Sequence, residues 1–448
     1  MDPITIGLCS VALIVFTIYL GIHVAVALAL TSFVSVWLLK GTPVVAMNLL
    51  FVAASDSIAS YDFAVVPLFV LMGMFVAVAN VAADAYAAAN RLFRRLRGGL
   101  GVATVVANAM FAAVTGVSIA SAAVFTKIAV PEMRRFGYDP RFAVGIVAGS
   151  SILGMLIPPS LLMIVFGILT EVSIGKLFIA GFLPGLLMTF LFSGLIVLVA
   201  ARKPELVGAA PRPRSLGASA TETAAELANP MPRIELIRNL WPVVVLIGLV
   251  MGGIYAGFFT PTEAGAVGAL LAMLIAIIRR RLTFASGWNV LVETGKITSA
   301  ICILVVGATA YSRMLAMTGL PFIVPEWIGQ AGLGLYSALA IYILLIIVMG
   351  LFLDSISVML LTVPITFPVF MAMGADPIWF GIVTIIAVEI GILTPPLGIA
   401  LFVVKATLDD TDITLRDVVV GSLPFVAAMV VCLGLVVVFP GIVTVLLN

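Results

Sequence analysis

Long apolar runs recur along the whole chain, separated by short passages that are polar, basic or rich in Gly and Pro. About 20 apolar residues suffice to cross a bilayer as a helix, so the pattern predicts a series of transmembrane helices. In the first half, Pro3–Leu20 and Val24–Leu39 are apolar and are joined by the turn Gly21-Ile22-His23. Gly41–Tyr61 is mixed and reads as interfacial, and Phe63–Ala82 is a further span. A stretch of small apolar residues lies between the basic clusters Arg91–Arg97 and Arg134–Arg141. Arg141–Thr170 and Leu177–Ala201 follow, and residues 202–238, rich in Pro, Ala, Ser and Thr, read as a solvated linker. The second half brings spans at Leu240–Phe258, Glu263–Ile278 and Leu291–Tyr311, then an irregular interfacial passage at Pro321–Gly334. Apolar runs at Tyr336–Met373, Pro377–Leu408 and Val418–Leu446 complete it.

Two of these runs are broken from within. Gly149–Ser160 (GSSILGMLIPPS) and Glu389–Gly398 (EIGILTPPLG) each place a Pro-Pro pair inside an apolar helix. Proline has no amide hydrogen and collides with the preceding turn. Pro158 and Pro159 therefore predict free carbonyls at Gly154 and Met155, and Pro395 and Pro396 predict them at Gly391 and Ile392. An unpaired carbonyl is costly in hydrocarbon, so a broken helix persists only where it is buried in protein or lines a polar cavity. These carbonyls, together with Ser150, Ser151, Ser160 and Thr394, are the raw material of a cation site. One such motif alone reads equally well as a kink without a ligand. Two at corresponding positions of a duplicated chain favour the site.

Composition narrows the class. With 63% hydrophobic and 10% charged residues and a mean hydropathy of +1.29, the chain belongs in the membrane. A net charge of +2, with Lys and Arg in clusters, leaves no nucleic-acid footprint. Cys9, Cys302 and Cys432 all sit in apolar runs and read as packing residues, not as a disulfide or metal set. His23 is the only histidine, which argues against a His-based metal site or a His-dependent triad. Asp2 precedes the first apolar run and no basic stretch does, so that run reads as a retained span.

The chain repeats itself. A shift of 237 residues takes Ser118 to Ser355, Pro131 to Pro368, Gly137 to Gly374 and Asp139-Pro140 to Asp376-Pro377. It also takes Gly154 to Gly391 and Pro158-Pro159 to Pro395-Pro396. So many coincidences on one diagonal imply duplication. Lys and Arg favour the cytoplasmic side, which places 91–97, 134–141, 202–238 and 279–281 inside. The passage between Arg97 and Arg134 then starts and ends inside but is too short for two crossings and a turn. It predicts a re-entrant hairpin over about 98–133 with its tip near Thr115–Ser118. The shift predicts a second hairpin over about 336–373, its tip near Asp354–Ser357, entering from the opposite side. The expectation is an all-α polytopic membrane protein with both termini outside, built from two inverted repeats, 1–201 and 239–448. Each repeat holds about five spans, one opposed re-entrant hairpin and one broken helix, at about 141–170 and 377–408. Residues 202–238 form a cytoplasmic linker between them.

Inverted repeats, broken helices at the midplane and opposed hairpins are the signature of a secondary transporter. Half-helices starting at Ser118 and Ser355 would aim positive N-terminal ends at the midplane, which suits an anionic substrate. Gly116 permits the close turn. Asp354 at the second tip is either an ion-site residue or the cap of its half-helix, and Glu389 either an ion-site residue or a structural hydrogen-bond partner. Lys127, Arg313 and Lys405 are either substrate groups or interfacial residues.

The motifs LGMLIPPS (153–160), FGYDPRFAVG (136–145), GIYAGFFTPTEAGAVGA (253–269), the Asp354-Ser355 tip and GILTPPLG (391–398) resemble the large membrane subunit of TRAP transporters, the DctM-like family. The motifs spread over about 97–424, and TPTEAGAVGA with LIPPS is a specific combination. The resemblance implies an ion-transporter-superfamily fold of elevator type in the bacterial inner membrane, and an ATP-independent uptake system. It implies two partners: a small four-helix membrane subunit, expected as a separate chain, and a periplasmic solute-binding protein. It also implies sodium as the coupling ion, with no further cofactor, and a carboxylate substrate. Carried onto this chain, Gly116, Ser118, Ser150, Ser151, Gly154, Met155, Pro158 and Pro159 border one sodium site. Asp354, Ser355, Ser357, Gly391, Ile392, Thr394, Pro395 and Pro396 border another, with substrate between. Leu397 stands where the first repeat has Ser160, so the two sites need not be equivalent. TPTEAG reads as a capping turn, with Thr260 or Thr262 as N-cap, or as a docking surface for the binding protein.

The nearest competing reading is a stand-alone sodium-coupled carboxylate symporter of the same superfamily. An intramembrane enzyme would need facing acids or an HExxH motif, and an ATP-driven permease a Walker A. The sequence contains no HExxH and no Walker A, and Asp354 has no obvious acid partner.

Overall fold

The long apolar runs fold as helices, and among the described residues the only strand-like pairing is the bridge Tyr138–Val207. The computed structural model describes residues 2–208, 233–395, 398–408 and 412–447. Most of the expected linker, 209–232, lies outside them. The first half contains α1 (Pro3–Tyr19), α2 (Val24–Lys40), α3 (Pro43–Ala59), α4 (Val65–Val78), α5 (Val81–Phe93), α6 (Gly99–Thr115) and α7 (Ser118–Arg135). It continues with α8 (Pro140–Ser151), the single turn α9 (Leu153–Leu156), α10 (Leu161–Thr170) and α11 (Ile174–Arg202). The second half contains α12 (Arg233–Tyr255), α13 (Pro261–Ile278), α14 (Phe284–Thr318), α15 (Leu320–Gln330) and α16 (Leu335–Gly350). It ends with α17 (Ser355–Ala372), α18 (Pro377–Leu393), α19 (Ile399–Thr407), α20 (Leu415–Val438) and α21 (Gly441–Thr444).

The bounds of these helices follow the 237-residue shift. It takes the start of α2 to the start of α13, of α7 to α17, and of α8 to α18. The local chemistry explains why. Asp139 and Asp376 are both N-caps, accepting from Arg141 N at 2.9 Å and Trp379 N at 2.7 Å. Pro140 and Pro377 take the first helical position, where the missing N–H is no loss. At α13 the cap is Thr260, closed into a capping box with Glu263.

One expectation gains detail and one changes. Gly41–Tyr61, expected as a mixed interfacial passage, contains α3, whose outer face exposes Val44, Met47 and Phe51. In the first half α3 and α4 are separated at Ser60 by a short 3-10 turn, Tyr61–Ala64, whereas the second half has the continuous 35-residue α14. Pro321–Gly334 is also largely helical. Pro321 sits in the first turn of α15, which tolerates it, and α15 meets α16 at 117°. Eight helical stretches among the described residues are long and apolar enough to cross a membrane, or nine if that bent pair is one span. The chain is therefore a multi-pass membrane protein. The expected five spans per repeat would require the shorter apolar helices α1, α2, α3, α6 and α18 to be counted too.

The helices pack in two groups, each drawing on both halves. The opening helices α1–α4 pack with α12–α14, most closely α4 on α13 and α2 on α14. The later helices α6–α11 pack with α16–α20, most closely α8 on α20. That last crossing is backbone on backbone, because a Cβ built on Gly145 would run into the Gly421 carbonyl. Overpacking a tight contact costs about 1–3 kcal/mol. Gly145→Ala is expected to lower the thermal unfolding temperature of the purified protein markedly. Gly434→Ala, with nothing within 4 Å of its added Cβ, should leave it unchanged or slightly higher. Equal melting of the two variants would contradict this packing.

Candidate functional site

The tip of the first hairpin is seated in the first break. α6 ends at Thr115, Gly116 turns with φ +66° and Val117 is extended before α7 starts at Ser118. The Gly116 carbonyl accepts from Leu161 N at 3.2 Å, and a Cβ on Gly116 would lie 2.6 Å from the Pro159 carbonyl oxygen. From the other side Gly154 rests against the Val117–Ser118 peptide, 2.9 Å from any Cβ it could carry. Both contacts require glycine, Gly116 for its left-handed turn as well. The chain leaves α9 at Ile157, passes through Pro158 and Pro159 and re-enters helix at Leu161. Ser160 is the N-cap, accepting from Met163 N at 3.4 Å, and its hydroxyl donates to the Met155 carbonyl. The Met155 carbonyl, expected free, is thus paired, because a nearby hydroxyl replaces the amide that Pro159 lacks. Ser151 donates to the Ala148 carbonyl at 2.8 Å, and Ser150 accepts from Asn108 Nδ2 at 2.8 Å. Asn108 is fully buried and its Oδ1 has no partner. The sequence reading missed Asn108, although a lone amide in the Ala- and Val-rich arm of a re-entrant hairpin was a signal.

The second tip is built differently. After α16 the chain turns through Leu351–Leu353, and Asp354 caps α17. Its carboxylate accepts from Ile356 N at 3.1 Å, Ser357 N at 3.2 Å and the Ser357 hydroxyl at 2.5 Å. Of its two readings, capping is the one these contacts describe. The incoming arm meets the second break at Gly350 and Gly391, where a Cβ on Gly391 would lie 2.9 Å from Gly350 Cα. The Gly391 carbonyl, also expected free, accepts from Thr394 N at 3.1 Å in an i to i+3 turn, and the Thr394 hydroxyl donates to the Ile390 carbonyl at 2.6 Å. A tightened last turn of this kind is a common way to satisfy a helix end. Ile392 is buried and Pro395 lies in the turn that follows. Pro396 and Leu397 lie outside the described residues.

Glu389 joins the two tips. It sits on α18, 1% exposed, and its Oε1 accepts from the Ser355 hydroxyl at 2.7 Å. The Ser118 hydroxyl faces the same carboxyl group, whose Oε2 has no hydrogen-bond partner. Ser118 and Ser355, equivalent under the repeat, therefore come together at one acid that has no equivalent, since the shift relates Glu389 to Ile152. The first turns of α7 and α17 both adjoin it, and the positive end of a helix dipole favours a carboxyl oxygen there. The expected basic candidates lie elsewhere. Arg313 pairs with Asp56 at 2.7 Å, Lys405 donates to the Ile413 carbonyl at 2.6 Å, and Lys127 is exposed. Among the described residues no three or more His, Cys, Asp or Glu side chains gather as a metal cluster. Any cation at the tips would be held mainly by hydroxyl and carbonyl oxygens, the ligand set of a hard ion.

The family described as tripartite ATP-independent periplasmic transporter, DctM component, matches residues 11–442. The chain is 34% identical over 390 residues to the C4-dicarboxylate TRAP transporter large permease protein DctM of Pseudomonas aeruginosa, covering 85% of each. It is 30% identical over 384 residues to the sialic acid TRAP transporter large permease protein SiaM of Vibrio cholerae, covering 86% of this chain and 85% of that one. In fold it is similar to MtrF of Neisseria gonorrhoeae, with a TM-score of 0.61 at 14% identity over 97% of this chain and 94% of that one. It is also similar to the YdaH transporter of Alcanivorax borkumensis, with a TM-score of 0.55 at 16% identity over 88% and 89%. The curated relatives named here are permeases, not enzymes.

Ser355→Ala would remove the Ser355–Glu389 hydrogen bond and leave Oε1 of the buried carboxyl group without that donor. Stranding a buried acceptor costs about 1–3 kcal/mol, so this variant should unfold at a clearly lower temperature in detergent. Glu389→Gln keeps an acceptor for Ser355 and should lose less. If Ser355→Ala melts like the parent, the Ser355–Glu389 bond is not a fastening between hairpin and broken helix.

Proposed function

Since the chain belongs to the DctM component family of tripartite ATP-independent periplasmic transporters, we propose that it is the transport subunit for sodium-coupled, binding-protein-dependent uptake of a small carboxylate across the bacterial inner membrane. The observation that carries this reading is the meeting of two hairpin tips with two broken helices, at Gly116–Gly154 and Gly350–Gly391. Such breaks in a membrane protein mark ion and substrate sites. The relatives named for C4-dicarboxylates and sialic acid support a carboxylate substrate.

Two sodium sites lie at the tips. The first takes oxygens from Gly116–Ser118, Ser150, Ser151 and the Gly154–Pro159 backbone. The second takes them from Asp354, Ser355, Ser357 and the Gly391–Pro396 break. Met155 and Gly391 each use one lone pair of the carbonyl in a local hydrogen bond, and a carbonyl oxygen has two, so both remain possible ligands. Substrate binds between the sites, near the starts of α7 and α17. The two halves form inverted repeats, which the shared helix bounds support. The group built from α6–α11 and α16–α20 moves elevator-fashion against the group built from α1–α4 and α12–α14, which their separate packing supports. A small four-helix membrane subunit and a periplasmic binding protein complete the system.

Purified chain in vesicles should show little sodium-driven uptake alone and regain it with the small subunit and loaded binding protein. Robust uptake by the chain alone would favour the stand-alone symporter. In the complete system, Ser118→Ala, Ser150→Ala and Ser355→Ala should raise the sodium concentration for half-maximal uptake. If all three fold and keep the parent sodium dependence, the sodium assignment is wrong.

Topology has its own test. Single cysteines near Arg212 and Gln330, in a cysteine-free background, should react from opposite sides of the membrane, with Arg212 inside. Labelling of both by an impermeant reagent added outside would exclude inverted repeats.

A further inference from the structure

Away from the hairpin tips, a cavity of about 770 Å³ opens between the end of α5, the start of α6, the α7–α8 turn and the end of α11. Among the described residues Arg91, Arg94 and Arg97 line it together with the carboxylate of Glu132. Arg97 has no hydrogen-bond or ion-pair partner among the described residues. Tyr138 also lines it, its oxygen accepting from Gly101 N in the first turn of α6 at 3.3 Å. Burial pushes its phenol up to about 12, so at neutral pH the hydroxyl keeps its hydrogen. Leu96, Leu100, Phe136 and Val207 supply apolar wall.

The surroundings say what kind of ligand fits. Beside the cavity Leu92 is 68% and Leu96 50% exposed, and Leu198 near the end of α11 is 45% exposed. In a multi-pass chain such surface faces lipid. The cations therefore sit where lipid-facing apolar surface gives way to basic rim, at the depth of phospholipid headgroups, on the face that the excess of Arg marks as cytoplasmic. Arginine forks match phosphate oxygens bidentately.

We propose that this cavity binds the phosphate headgroup of an anionic phospholipid and that the bound lipid ties α5 to the start of α6. The inference stands on the cavity and does not depend on the transported substrate or the coupling ion.

The test is lipid retention and thermal stability of the full purified chain. Phosphatidylglycerol should stay bound in native mass spectrometry and raise the unfolding temperature, whereas phosphatidylcholine and inorganic phosphate at equal concentration should do neither. Each arginine near a membrane surface is worth about 1 kcal/mol of attraction to anionic lipid, or about fivefold in affinity. Arg97→Gln, at an exposed position, should therefore retain about fivefold less phosphatidylglycerol. Glu132→Gln removes the opposing carboxylate and should retain more. Equal retention by parent and Arg97→Gln, or equal stabilisation by phosphatidylcholine, would overturn the proposal. Equal protection by inorganic phosphate would assign the cavity to a soluble anion and also overturn it.

Discussion

Hydrocarbon does not forgive an unpaired peptide group, and the centre of this structure is arranged around that constraint. Two Pro-Pro pairs interrupt its apolar helices. The chain answers at each interruption with local hydrogen bonds and with a hairpin tip pressed onto the exposed backbone. At the first break the Ser160 hydroxyl covers the Met155 carbonyl and Leu161 N reaches the carbonyl of Gly116. At the second, Thr394 covers the Gly391 and Ile390 carbonyls. Contact this close is possible only because Gly116, Gly154, Gly350 and Gly391 have no side chains to separate the backbones. Broken helix and hairpin are thus one unit, each supplying what the other lacks.

The same logic organises the molecule at larger scale. Units of this kind from both halves pack together, and the opening helices of both halves pack together beside them. Helices of the two halves interleave in this way, and buried stretches of both breaks lie among them. An unpaired peptide group is costly in hydrocarbon, so such backbone belongs inside protein.

Much of this was legible in the sequence because it depends on residue types that have few uses. Proline pairs, Asp-Pro helix starts and glycines on a 237-residue diagonal marked where helices start and where they break. What could not be read was pairing. The fate of the carbonyls of Met155 and Gly391 depended on whether a hydroxyl or a turn lay within reach, which sequence spacing does not decide. Glu389 was noticed, but its contact with two serines 237 residues apart is a matter of tertiary approach. The passage at 321–334 reads as irregular from sequence because its prolines weigh more there than their helix-starting position. Pro43 and Pro321 both lie in the first turn of a helix.

The two hairpin tips differ at the residue that precedes the second helix of each. Asp354 stands at the N-cap of α17 and holds its first turn with three hydrogen bonds, whereas the equivalent position before α7 is Val117, which offers none. The second tip therefore carries its own scaffolding and keeps its form wherever it is placed. The first borrows its form from Leu161 and Gly154 and keeps it only while the break beneath is in register. Symmetry of descent has ended in asymmetry of dependence. A disturbance at Pro158-Pro159 would be felt at once by Ser118, while Ser355 would register one at its own break chiefly through Glu389.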